Sequence, residues 1–134
     1  MSRLAHARKD LLEIFQAGVA RVEGRYAVRE ALTPMPDPVS LVAIGKAAGP
    51  MAQGALEVLG DQAVDGLVIS KLGHLDEPAL KAAGLCCLYG GHPLPDQRSL
   101  LAGAALVDFI QGLPAGRQLL IPILGGSSVL AVPF

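Results

Sequence analysis

Tryptophan is absent from this sequence of 134 residues, and aromatic side chains make up only 4% of it. Charge is scarce as well: Asp, Glu, Lys and Arg total 17%, against about 25% in ordinary globular chains. Neither sign dominates, since 11 basic and 12 acidic residues leave a formal charge of -1. That balance provides no basic field to condense on phosphate backbones or anionic lipid, and nucleic acid is excluded as an expected partner. Cysteine is limited to Cys86 and Cys87, which are adjacent and would point to opposite faces of a strand, a geometry unsuited to a structural bridge. Two cysteines do not make a metal site, and His6, His74 and His92 show no ligand spacing, so no metal residue is assigned. Long apolar runs are missing too. The longest uncharged stretch, Gln118 to Phe134, contains Pro122, Pro133 and paired glycines, and it falls short of the roughly 18 apolar residues a spanning helix needs. No membrane segment is expected. The first ten residues carry Arg3, Arg8, Lys9 and Asp10 without an apolar h-region, so no secretory signal is read and a cytoplasmic location is the expectation.

What is present is hydrophobic material, 51% of residues with a mean hydropathy of +0.46. That is enough for one globular core over residues 1–134, and it leaves little polar surface to cover the outside of a small domain. The excess implies a partner surface, met by self-association, with Gln118 to Phe134 as the expected contributor.

Leu4, Leu11, Ile14, Phe15, Gly18 and Val22 recur at intervals of three, four and seven, which predicts an amphipathic N-terminal helix over 1–24. Residues 25–38 read as a linker, because Pro34, Pro36 and Pro38 fix φ and remove backbone donors. If the helix runs on, Arg21, Arg25 and Arg29 share a face, readable as an anion patch or as a solvated stripe. Downstream, short β-branched or apolar runs alternate with helical patterns: Val39 to Ile44, Gly66 to Ser70, Leu85 to Tyr89 and Leu119 to Leu124 read as strands. Helical patterns follow at Met51 to Leu59, after Asp76-Glu77-Pro78, and after Asp96 as N-cap. This alternation predicts an α/β fold, a three-layer Rossmann-like, mostly parallel sheet with helices on both faces.

Each predicted strand runs into a glycine-containing loop: Gly45-Lys46, Gly73-His74, Gly91-His92, and Gly125-Gly126-Ser127-Ser128. In a parallel sheet these loops emerge on one edge, where open α/β sheets bind ligands. Glycines also make ordinary βα turns, so the signal lies in the set. Lys46 sits between a strand and a helix whose first turn contains Pro50; a bound carboxylate or phosphate would accept from helix amides and from the lysine together, though a solvated surface lysine fits the spacing equally well. The stretch is not a Walker A loop, since Ala47 follows the lysine, and no Gly-x-Gly-x-x-Gly opens a helix. His92 is placed to donate to an anion or move a proton; His74 reads more simply as a loop histidine bonded to backbone. Gly125, Gly126, Ser127 and Ser128 resemble a phosphate cradle, but the residues after it appear too few and too proline-stopped to supply a following helix.

In order, Val42-Ala43-Ile44-Gly45-Lys46-Ala47-Ala48 with Met51-Ala52, Gly66-Leu67-Val68-Ile69 with Lys71 and Gly73-His74, and Gly91-His92-Pro93 with Pro95-Asp96 and Ser99-Leu100 resemble the N-terminal domain of the glycerate 2-kinase family. Members of that family carry a C-terminal MOFRL domain, and some bear a hydroxypyruvate reductase label. The resemblance spans most of the chain. It implies phosphoryl transfer from ATP, with Mg2+, to a hydroxyl of glycerate or a related small hydroxy acid, and it maps the lysine of the family's Gly-Lys-Ala-Ala loop onto Lys46. Two departures accompany it. The family's Ser-Gly-Gly-Gly-Ser-Ala loop corresponds to Leu124-Gly125-Gly126-Ser127-Ser128-Val129, with its first serine and third glycine replaced. Family members are also considerably longer. A kinase holds nucleotide and acceptor in line, so the expectation is a glycerate-kinase-like N-terminal fragment inactive by itself. The alternatives are a non-catalytic module that self-associates or docks on a partner protein, and a small-anion binder.

Overall fold

A computed structural model of the chain describes residues 2–124 and 127–132. Four strands, β1 (Val39–Ile44), β2 (Ala63–Ser70), β3 (Leu85–Tyr89) and β4 (Gln118–Leu120), form one parallel sheet in the order β3-β2-β1-β4. The helices are α1 (Arg3–Val22), α2 (Gly24–Ala31), α3 (Ala48–Leu59), α4 (Glu77–Ala82), α5 (Gln97–Gln111) and the single turn α6 (Ser127–Leu130). The doubly covered sheet is the α/β fold expected.

Strand alternation sorts the core into two layers. Val39, Leu41 and Ala43 of β1, with Val68 of β2, point to the face covered by Ala48, Ala52 and Ala55 of α3 and Leu80 of α4. Val42, Leu67 and Ile69 point to the other face, under Ala102 of α5 and Leu130 of α6. The segments joining β1, β2 and β3 therefore lie on one side, and α5 carries the chain back across the other side to β4. At the neighbouring pair β1 and β4, the helices that follow the strands leave to opposite faces. This is the topological switch point of the sheet.

Three features differ from expectation. Residues 25–31, read as the start of a linker, belong to α2: Glu23 adopts an extended backbone that ends α1, and its carboxylate caps the next helix by accepting from the amides of Arg25 and Tyr26. The proline-rich segment begins only after α2. Because the helix breaks at Glu23, the three arginines do not form one stripe. Arg25 and Arg29 reach Glu57 of α3, with 2.6 Å from Arg25 Nε and 3.4 Å from Arg29, while Arg21 stacks over Tyr26. The cation pair holds the Glu57 carboxyl below its ordinary range, chiefly through the Arg25 hydrogen bond. Gly54 lets α2 lie directly on α3, since a Cβ there would run into the Arg25 carbonyl. Second, β4 is three residues long, with Pro122 interrupting the pairing and Ile123 making only an isolated bridge to Ile44. Third, the residues beyond Gly126 do form one helical turn, whose Leu130 is fully buried.

Candidate anion-binding edge

At the end of β1 the chain turns at Gly45, whose φ of 135° suits only glycine and where a Cβ would strike the Leu124 side chain. The turn is clamped from β2: the Gly45 amide donates to the Ile69 carbonyl (3.0 Å), and the buried Ser70 hydroxyl donates to the Gly45 carbonyl (2.7 Å). Lys46 follows, exposed, just ahead of α3. The residue at the N-cap of α3, Ala47, offers no side-chain acceptor to the first turn, so nothing in the side chains competes with an external anion there.

His74 is exposed in the loop after β2. Its Nδ1 lies 3.4 Å from the Lys46 carbonyl, in keeping with a histidine bonded to backbone. His92 is half-buried beyond β3, preceded by Gly91 and followed by a cis bond to Pro93. Its loop is held by a capping box: the buried Ser99 hydroxyl accepts from the Gly91 amide (2.8 Å) and the Asp96 amide (3.1 Å), and Asp96 accepts from Arg98 and Ser99. Asp96 is thus the N-cap expected, and it is also paired with Arg98 at 2.7 Å. The His92 imidazole is pushed below its ordinary value, first by desolvation and then by the positive charges of Lys46, Lys71 and His74. Loops after three different strands therefore bring Lys46, Lys71 and His74 into electrostatic reach of His92.

Lys71 belongs in this set although it was not among the candidate residues. Its signal was available, because it directly follows β2 on the same sheet edge. Ser127 is placed differently from the cradle reading: its hydroxyl bridges the carbonyls of Ile44 (2.7 Å) and Leu124 (2.8 Å), tying the segment after β4 to β1 across the switch point. Its proton is occupied by backbone. Ser128 is exposed on α6, and Gly125 and Gly126 lie outside the described residues. A separate groove of about 290 Å³ between β3 and α5 is lined by Cys87, Tyr89, Leu101 and Arg98. It has no comparable convergence of charge, because Arg98 is already paired with Asp96.

An open parallel sheet with a topological switch point and basic loops along its carboxyl edge defines a doubly wound α/β protein of the kind that takes a ligand outside the strand ends. Within that class, the chain belongs to the family described as Domain of unknown function (DUF4147), whose model matches residues 10–134. It is 33% identical over 124 residues to a D-glycerate 2-kinase of Thermotoga maritima, covering 92% of this chain and 29% of that protein. A putative hydroxypyruvate reductase of Agrobacterium vitis is 32% identical over 127 residues, 94% of this chain and 28% of that protein. Among solved structures, a glycerate kinase of Thermotoga maritima superposes with a TM-score of 0.81 at 31% identity, over 95% of this chain and 30% of that one. A Pyrococcus horikoshii protein superposes with a TM-score of 0.78 at 25% identity, over 93% and 30%. The chain spans about 30% of the length of these relatives and resembles their N-terminal region.

Proposed function

We propose that this chain supplies the basic wall of a glycerate-kinase-like cleft, gripping carboxylate or phosphate oxygens of a small hydroxy acid or of ATP without completing phosphoryl transfer alone. The observation that supports this reading is that Lys46, Lys71 and His74, from the loops after β1 and β2, act electrostatically on His92 at the carboxyl edge of the sheet. Lys46 is the candidate catalytic residue, placed where it would neutralise charge on a transferring or accepting oxygen. His74 and His92 are candidate donors to the same anion, and Gly45 contributes through the turn it makes ahead of Lys46. A neutral imidazole at His92 donates from one nitrogen and accepts at the other, and a bound anion would offset the surrounding positive charge and draw a proton onto it.

The residues fit anionic oxygens and do not fit Mg2+. Every group acting electrostatically on His92 is a base, and among the described residues no three His, Cys, Asp or Glu side chains come together. Carboxylates for a metal belong to a part of the cleft other than this edge, and no step is routed through the ion here. The relatives' remaining 70% supports the same division of labour, since a kinase positions donor and acceptor between two walls.

Thermal unfolding with D-glycerate, phosphate or ATP, alongside a coupled assay of MgATP turnover, tests the reading. A rise in Tm with at least one anion, lost in Lys46→Ala, and no turnover are expected. Turnover by this chain overturns its incompleteness; no anion-linked shift at millimolar ligand overturns the site.

A further inference from the structure

Strand β2 lies between β1 and β3, and its last residue, Ser70, is bonded to the loops that leave both neighbours. The Ser70 side chain is fully buried at the end of the apolar run Leu67-Val68-Ile69, where alanine would carry no polar group to desolvate. Its hydroxyl donates to the Gly45 carbonyl (2.7 Å), and its carbonyl accepts from the Gly90 amide (3.0 Å). Lys71 follows directly. One residue thus joins the loop of Lys46, the loop of Lys71 and His74, and the loop of His92.

The bond to Gly45 acts on a peptide plane. A trans peptide is rigid and carries its C=O and N–H on opposite sides. Fixing the Gly45 carbonyl therefore fixes the plane from which Lys46 departs, and it turns the Lys46 amide away from the buried hydroxyl. The plane before Gly45 is pinned too, since the Ile44 carbonyl accepts from Ser127 (2.7 Å) and the Gly45 amide donates to Ile69 (3.0 Å). Between the two planes stands a glycine at φ 135°, whose backbone freedom would let the second one swing. The Ala48 amide also reaches the Gly45 carbonyl (3.1 Å), but it belongs to the same loop and moves with it. Among the described residues, Ser70 alone ties that plane to the sheet.

We propose that Ser70 is a positioning residue of the anion-binding edge, holding Lys46 where one anion meets both it and His92. The inference rests on the anion site proposed above and adds to it a buried residue that touches no ligand. Two measurements test it, both well below the unfolding transition. Calorimetry gives the affinity for whichever of D-glycerate, phosphate and ATP the parent chain binds. Proton NMR follows the His92 imidazole across pH without any anion, with His6 of α1 as reference; Lys46, Lys71 and His74 are the charges that act on that imidazole. The control is Ser40→Ala, because Ser40 is equally buried and its hydroxyl donates to Asp65 near the amino end of β1.

Ser70→Ala should fold, weaken the anion about tenfold and move the His92 midpoint up toward the ordinary histidine value, as Lys46 is no longer held in reach. Ser70→Cys, which keeps the volume with a weaker donor, should fall between Ser70→Ala and the parent. Ser40→Ala should lower Tm and change neither readout. Parent-like affinity and His92 midpoint in Ser70→Ala overturn the proposal. So do equal changes in Ser40→Ala, or loss of the fold in both Ser70 variants, which would make Ser70 a packing group. If the parent binds none of the three anions, the proposed site falls, and the His92 midpoint alone decides whether Ser70 holds Lys46.

Discussion

The carboxyl edge of the sheet and helix α1 are built on opposite terms. At the edge, three of the loops are held by contacts from outside themselves: Gly45 by Ser70 and Ile69, Gly91 by Ser99, and the segment after β4 by the bond from Ser127 to Ile44. Helix α1 has an N-cap in Ser2 and one exposed i,i+4 pair between Lys9 and Glu13, but no buried residue. An isolated helix of this length is marginal in water, and most helix stability comes from packing of the apolar face. Tertiary order here positions polar chemistry, whereas the most apolar helix face lies exposed among the described residues.

The contrast is broken first in the core. Leu41→Ala, at a fully buried position of β1, should cost about 2 to 5 kcal/mol in denaturant unfolding, while Leu11→Ala in dilute monomer should cost about 0.5 kcal/mol or less. Equal losses would mean that α1 packs within its own chain. Next, Lys46→Ala should weaken anion binding about tenfold to a hundredfold by calorimetry with little change in Tm, because a charge-assisted contact is lost at an exposed position. Ser99→Ala should cost about 1 to 3 kcal/mol, since it strands the Gly91 amide that the hydroxyl satisfies, and should also loosen anion binding at His92. The smallest effect is pH-dependent. The folded chain holds His92 below its ordinary value, so the unfolded chain binds the extra proton. Stability is then full above the ordinary histidine range and declines as pH falls from there toward the lowered folded value. His92→Gln should flatten that slope, and a saturating anion should do the same in the parent chain.

Much of the sheet was legible because strands buried on both faces announce themselves as continuous apolar runs. β1 and β3 fall where Val39 to Ile44 and Leu85 to Tyr89 predict them, whereas β2 begins earlier, at Ala63, and β4 stops before Pro122. Helix α2 was hidden by its polar surface and by the prolines beyond it. Its clues were Glu23 as a carboxylate cap and arginines four apart, meaningful only once Glu57 of α3 is opposite them. The Lys46, His74 and His92 loops were readable as a group because parallel topology gathers strand ends. The hydroxyl of Ser127 was not, since its choice between an external anion and the Ile44 carbonyl depends on a neighbour 83 positions away. The amphipathic pattern of α1 was plain, but periodicity says which face is apolar and not what lies against it. The expected contact surface at Gln118 to Phe134 is partly consumed inside the fold, with Pro122 and Leu130 buried.

The close approach of the last described residues to α5 bears on how the chain is made. Gly90 and Gly103 leave room for the backbone of Leu130 and Val132, and the Val132 amide donates to the Ser99 carbonyl at 3.2 Å. During synthesis, the fully buried residues of the layer under α3 and α4 are all present once β3 has emerged, yet the opposite layer lacks Leu130 until the segment after β4 follows. One side of the sheet is born closed and the other is born open, and for that interval Val42, Leu67 and Ile69 depend on α5 alone, or on a chaperone, to be kept from water.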